Sequence, residues 1–271
     1  MHLANMSLPD VPRVLYAKAP LEQVICQLRF PTILKINLET PVDFQERLRK
    51  QYPLFEQKSE VTIPQQLLQQ LPPTITETLL KIDPINVYIF SSSDKNWMIS
   101  LTRDFLSIQT SKYERWEDLK KHLEEPLKAL IDIYNPVFFV RVGLRYQDII
   151  RRSKLGQEKS PWSKLLQPYI AGALDSKLVA NSIQEIGQQL IIQLDEFSAK
   201  VRIQHGLVQD EKGETCYLID NDFFSENQTE VNNATAILDY FNQQNRLFFR
   251  WFITEQLHKA MGPKTIGDDA V

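Results

Sequence analysis

Apolar side chains fall at every second position in two stretches of this chain. In the first they are Val24, Cys26, Leu28 and Phe30; in the second, Val140, Val142, Leu144 and Tyr146. A period of two predicts β-strands that bury one face. Each stretch sets an arginine on its other face between a leucine and an aromatic residue, as Leu28-Arg29-Phe30 and Leu144-Arg145-Tyr146. The offset between the copies is 116 residues (29 to 145), and the elements predicted after each copy follow a common order.

After the first copy, Pro31 ends the strand, since proline has no N–H for a ladder. Asp43 reads as the N-cap of a helix over Phe44–Gln51, with Phe44, Leu48 and Tyr52 one turn apart. Residues Glu56–Pro84 carry four prolines and read as an irregular excursion, with one short helix near Pro64–Leu71. Strands are predicted at Val87–Phe90, Trp97–Thr102 and Phe105–Thr110. A helix follows over Glu114–Tyr134, striped by Trp116, Leu119, Leu123, Leu127 and Leu130, with a kink or break predicted at Pro126.

The second copy opens a similar series: a strand at Phe138–Asp148, a basic polar loop over Arg151–Pro161, and a helix over Pro161–Leu174 that Pro168 bends. Strands come next at Gln189–Leu194, Lys200–Val208 and Thr215–Phe224. A final helix over Asn232–Ala260 is striped by Ile237, Phe241, Phe248, Phe252 and Leu257, and Gly262-Pro263 stops it.

Each half thus reads β-α-β-β-β-α, with halves at 14–135 and 136–262 and flexible ends at 1–13 and 263–271. The expected fold is α+β: tandem repeats joined through their first strands into one curved antiparallel sheet, with helices on one face. The TATA-binding protein and helix-grip folds share this plan, and element order alone transfers no function.

Composition narrows the function. No apolar run approaches the ~20 residues that span a bilayer. The N-terminus lacks the charged start and apolar core of a signal peptide, so the default expectation is cytoplasmic. A net charge of −3 gives no general pull on nucleic acid. The two cysteines, Cys26 and Cys216, are too few for a disulfide framework and read as buried thiols. With 8 glycines and no G-x-G spacing, phosphate-cradling loops are excluded. None of the four histidines pairs with another at metal-ligand spacing, and His205 reads as a packed residue. Glu124-Glu125 reads as a solvated helix face. Asp220 and Asp222 share a strand parity, which is too unspecific to assign metal or acid–base chemistry. No catalytic residue, cofactor or metal is assigned.

The polar face of the predicted sheet offers the main candidate. Arg29, Arg141, Arg145 and Arg202 occupy it with Lys200, and the count finds no carboxylate there. Arg29 and Arg145 are expected near each other at the centre. Clustered guanidiniums suit phosphate, carboxylate or an acidic partner surface. The alternatives are a solvated face on which arginine stems cover apolar neighbours, and structural ion pairs with Glu22, Asp104 or Asp148. A second candidate is the last helix, where Phe249 and Trp251 widen the aromatic stripe and imply burial by a protein partner or a second copy.

Four segments carry a resemblance: Tyr16-Ala17-Lys18-Ala19-Pro20-Leu21-Glu22 before Gln27–Phe30; Trp97 with Leu101-Thr102-Arg103-Asp104-Phe105-Leu106; Thr110–Trp116; and Arg141–Tyr146. Together they resemble a sporadically distributed prokaryotic family of uncharacterised function, over nearly the whole chain, with the last helix departing most. The resemblance implies patchy gene carriage, as in defence and toxin–antitoxin systems, and no catalytic residues. The expectation is a non-enzymatic protein-binding subunit that self-associates or holds a protein partner and meets no membrane. The alternative is a nucleic-acid or anion binder using the four arginines.

Overall fold

A computed structural model describes Leu8, residues 10–60 and residues 85–265. The short helix expected near Pro64–Leu71 lies outside the described residues. Among the described residues nine strands form one antiparallel sheet: β2 (Leu21–Arg29), β3 (Leu54–Glu60), β4 (Ile85–Ser91), β5 (Trp97–Leu101), β6 (Phe105–Thr110), β7 (Arg141–Ile150), β8 (Gly187–Gln193), β9 (Lys200–Gln209) and β10 (Thr215–Ser225). Their order is β3-β4-β5-β6-β2-β7-β10-β9-β8. The two alternating stretches therefore lie side by side at the centre, as β2 and β7. Outward from that pair the order is β6, β5, β4, β3 on one side and β10, β9, β8 on the other.

A separate ribbon pairs β1 (Val14–Tyr16) with β11 (Pro263–Thr265). This corrects the expected flexible end at 263–271: three residues of each terminal segment find a ladder. The excursion expected from Glu56 also starts later, because Leu54–Glu60 pairs with β4 as the outermost strand.

The helices are α1 (Leu34–Leu38), α2 (Val42–Leu48), α3 (Trp116–Tyr134), the one-turn α4 (Arg152–Leu155), α5 (Trp162–Leu165) and α6 (Pro168–Ala171), then α7 (Ala234–Phe252) and α8 (Glu255–Ala260). The core lies where α2, α3, α7 and α8 cover one sheet face. It joins Val24, Cys26 and Leu28 of β2, Val142, Leu144 and Tyr146 of β7, Leu119, Leu123 and Leu130 of α3, and Phe241, Phe248 and Phe252 of α7. Each large side chain fully buried there contributes about 1.5–3 kcal/mol. Both cysteines are free and buried.

Three helices depart from expectation for identifiable reasons. The one expected over Pro161–Leu174 is the two single turns α5 and α6, because Leu166 turns extended and bridges Ile253. Helix α3 runs through Pro126 as one 19-residue element. Proline removes the N–H that the His122 carbonyl would accept. The Tyr52 hydroxyl replaces it, donating to that carbonyl at 3.2 Å. Conversely, the last helix breaks after Phe252. Ile253 turns extended and bridges Leu166, and the Thr254 amide donates to the Leu165 carbonyl at 2.9 Å. The Thr254 hydroxyl accepts from Leu257 N and so starts α8. No helix among the described residues is long and apolar enough to cross a membrane.

Candidate functional site

The arginine-bearing sheet face is an ion-pair ladder. Asp220 and Asp222 of β10 project from it too, which the carboxylate count over the neighbouring strands left out. Arg141 Nη2 reaches both oxygens of Asp222, at 2.8 and 2.9 Å. Arg145 forks onto Asp220, Nε at 2.7 Å and Nη2 at 2.5 Å, and Gln147 adds a third bond to that carboxylate at 3.2 Å. Arg202 lies 3.7 Å from Asp222, and Arg29 bonds Asp104 at 3.2 Å. Arg141 and Arg202 also flank the Phe224 ring, at 5.2 and 5.3 Å.

The register corrects the expected Arg29–Arg145 pairing. Arg29 faces Arg141, and Arg145 faces Ile25 four positions along, about 13 Å away. Gly143 explains the spacing of Arg141-Val142-Gly143. A Cβ there would lie 2.2 Å from Arg141 Nη1, so the glycine leaves the room in which that guanidinium lies across the strand toward Asp222.

The ladder makes a prediction. Asp220 is buried, so Arg145→Ala leaves its carboxylate with Gln147 alone, and the expected loss is about 2–3 kcal/mol. Urea unfolding of the variant at pH 7 measures it; an unchanged midpoint would mean that Arg145 is free to serve an outside ligand.

Phe249 is buried by the chain itself, which corrects the expectation that it awaits a partner, while Trp251 is half-buried. Phe249 is buried edge-on against Tyr16 of β1, with centroids 5.8 Å apart. Trp251 stacks on Tyr169 of α6 at 5.0 Å, and the Tyr169 hydroxyl bonds the Trp251 carbonyl. The helix is buried on more than one side, as expected, by β1 and α6.

Beneath β1 lies a cavity of about 680 Å³. Its walls are β1, the start of β2, the first turn of α3, the far end of β7 and one face of α7. That volume is within the range of small-molecule sites. Aromatic side chains line it, among them Tyr16, Tyr113, Trp116, Tyr146 and Phe249. The hydroxyls of Tyr113 and Tyr146 both donate to Asn242 Oδ1, at 3.3 and 3.0 Å. Asp239 accepts from Trp116 Nε1 at 2.6 Å and pairs with Lys120. Arg13 holds Glu117 at 2.6 Å.

Three lining groups keep unspent capacity. Asp148 sits on the core-facing parity of β7, opposite Ile219, and is 4% exposed. Its carboxyl has no hydrogen bond or ion pair among the described residues. Burial pushes it up to about 8, and the negative charges of Asp220 and Glu22 add to the effect. Arg246 turns toward Asp10 and Arg250 toward Glu255, at 3.8 and 3.2 Å. Yet Arg246 Nε and Arg250 Nη1 are buried without a partner among the described residues. The Tyr16 hydroxyl is hydrogen-bonded to His258 Nδ1 at 2.8 Å; burial raises it to about 12 against the pull of Arg250. The two guanidiniums can only donate, and burial favours the donating, neutral form of the Asp148 carboxyl.

Asp210, Glu214 and Cys216 also cluster. Their oxygens are taken: Asp210 accepts from Lys212 N, Glu214 N and Arg151, and Glu214 from Ser153 N and Oγ. His205 is packed as expected, bonded to the Tyr217 hydroxyl at 2.7 Å. Sequence reading named Asp148 only as an ion-pair partner and passed over Arg246 and Arg250. The available signal was one acidic residue on the apolar parity of a central strand. No protein-family model and no curated protein matches this chain.

Proposed function

We propose that this chain is a binding protein whose ligand is a small molecule taken up in the cavity beneath β1. The observation that carries this reading is one aromatic-lined cavity whose wall holds Arg246, Arg250 and the buried Asp148, a carboxyl without a hydrogen bond among the described residues. Buried polar groups are almost always paired, and leaving one unpaired costs about 1–3 kcal/mol. A ligand that satisfies them recovers that cost. The expected protein partner is less favoured, because Phe249 becomes available only if β1 leaves it and Trp251 is already stacked on Tyr169. The defence or toxin–antitoxin role has no residue attached to it and stays with the family resemblance.

A thermal-shift screen of small metabolites tests the proposal. A true ligand at 100 times its Kd stabilises by about 2.7 kcal/mol. The same compound should give no shift with the Arg246→Gln/Arg250→Gln double variant. A screen with no hit, or hits unaffected by that variant, contradicts the reading.

The second reading, an anion or nucleic-acid surface, is supported by Arg29 and Arg202. They keep 47% and 44% exposure and have the longer ion pairs of the ladder. It requires retention on nucleic acid that falls steeply with salt.

We also infer that the two halves arose by duplication. Gln27 lies directly opposite Gly143, and these two are themselves related by the 116-residue offset (27 to 143). A two-fold axis relating the halves passes through such a pair. The mirrored strand order and two long helices of 19 residues each support this reading and the likeness in plan to the TATA-binding protein and helix-grip folds.

A further inference from the structure

We infer that the cavity's ligand is an amphipathic oxyanion, an apolar ring or chain bearing a carboxylate or phosphate, with its head on Arg246 and Arg250. This rests on the small-ligand reading above and deepens it. The donors decide the sign of the head group. Arg246 and Arg250 are charged, and each turns only Nη2 toward an acid outside the cavity, Asp10 and Glu255. Both guanidiniums line the cavity and keep further N–H groups beyond the one nitrogen turned to an acid. Planar guanidiniums bind carboxylate or phosphate through such N–H groups.

The acids on the same wall do not oppose an anion as strongly as their number implies. Asp239 is held by Trp116 and Lys120, Glu117 by Arg13, and Glu114 at the rim is exposed to solvent. Burial raises the Asp148 carboxyl and so favours its neutral, donating form over a repelling charge. The body of the ligand is set by the rest of the wall. Tyr16 and Phe249 meet edge-on beside Arg250, and aromatic faces of this kind take up a flat apolar ring.

Three matched probes test this: 2-naphthoate, 2-naphthyl phosphate and neutral 2-naphthalenemethanol, titrated calorimetrically into the full chain at pH 7. At least one oxyanion is expected to bind about tenfold more tightly than the neutral probe, the factor that 1.4 kcal/mol of charge-assisted bonding gives. Comparison of the two oxyanions separates a carboxylate site from a phosphate site. Arg250→Gln should abolish the preference while the neutral probe still binds, which shows that the variant is folded. Arg250→Lys should restore part of the preference, and Lys200→Gln, on the opposite sheet face, should leave it unchanged. Equal binding of all three probes overturns the oxyanion assignment and leaves the cavity a ligand site. Binding by none overturns the assignment as well. If the metabolite screen is then also empty, the small-ligand reading falls with it.

Discussion

Asp148→Asn is expected to raise the stability of the protein at pH 9 by up to about 5–6 kcal/mol and to change it little at pH 4. The Asp148 carboxyl is held up near 8 in the folded chain, against an ordinary value of 3.8. Between about pH 4 and 8 the native state keeps a proton that the unfolded chain releases. Stability therefore falls as pH rises through that window, by about 1.4 kcal/mol per pH unit, and levels off above it. Asparagine fills the same space, donates a hydrogen bond and has no charge to bury. The difference between variant and wild type should thus grow from near zero at pH 4 to a plateau above pH 8. Chemical denaturation at five or six pH values measures it. A difference independent of pH would mean that Asp148 is ionised and paired in the folded protein.

Gly206→Ala is expected to cost several kcal/mol, because there is no room for its methyl group. Gly206 lies in β9, and a Cβ there would be 2.0 Å from the Ile186 carbonyl oxygen and 2.9 Å from Gly187 Cα. Both obstacles are backbone. That carbonyl accepts the Leu207 amide at 3.0 Å and guides the chain into β8. The methyl must therefore push the edge strand off β9, and overpacking on this scale costs about 1–3 kcal/mol or more. The neighbouring Gly187→Ala is the control: its Cβ meets nothing within 4 Å, and its effect should stay within about 0.5 kcal/mol. Thermal melts of the two variants measure the contrast, and amide exchange over Gly187–Gln193 should accelerate only in Gly206→Ala. Equal melting temperatures would contradict the packing described for this edge.

Strand alternation carried most of the fold. Val24–Phe30 and Val140–Tyr146 repeat one pattern strongly enough to place β2 and β7 together at the sheet centre, and the long helices follow from their apolar stripes. What escaped was set by tertiary pairing. Three residues of β1 and three of β11 are too short to show a period, so the ribbon that roofs the cavity was not legible. Ile253 and Thr254 fit the stripe of a single helix until the backbone of Leu165 and Gln167 draws them out of it. Asp220 and Asp222 were visible as a pair, but only the β7–β10 register puts them beside Arg145 and Arg141. Asp148 was readable as an acid on an apolar parity. Its meaning depended on learning that nothing described pairs with it.

The most direct test of the cavity as a ligand site is mass spectrometry of the protein purified gently from its host. The small molecules released on denaturation would be compared between wild type and Arg246→Gln/Arg250→Gln. The cavity account predicts one acidic compound, near one per chain, released by the wild type and missing from the variant. A compound carried equally by both proteins, or a chain that carries none and takes up none of the screened metabolites, would contradict it.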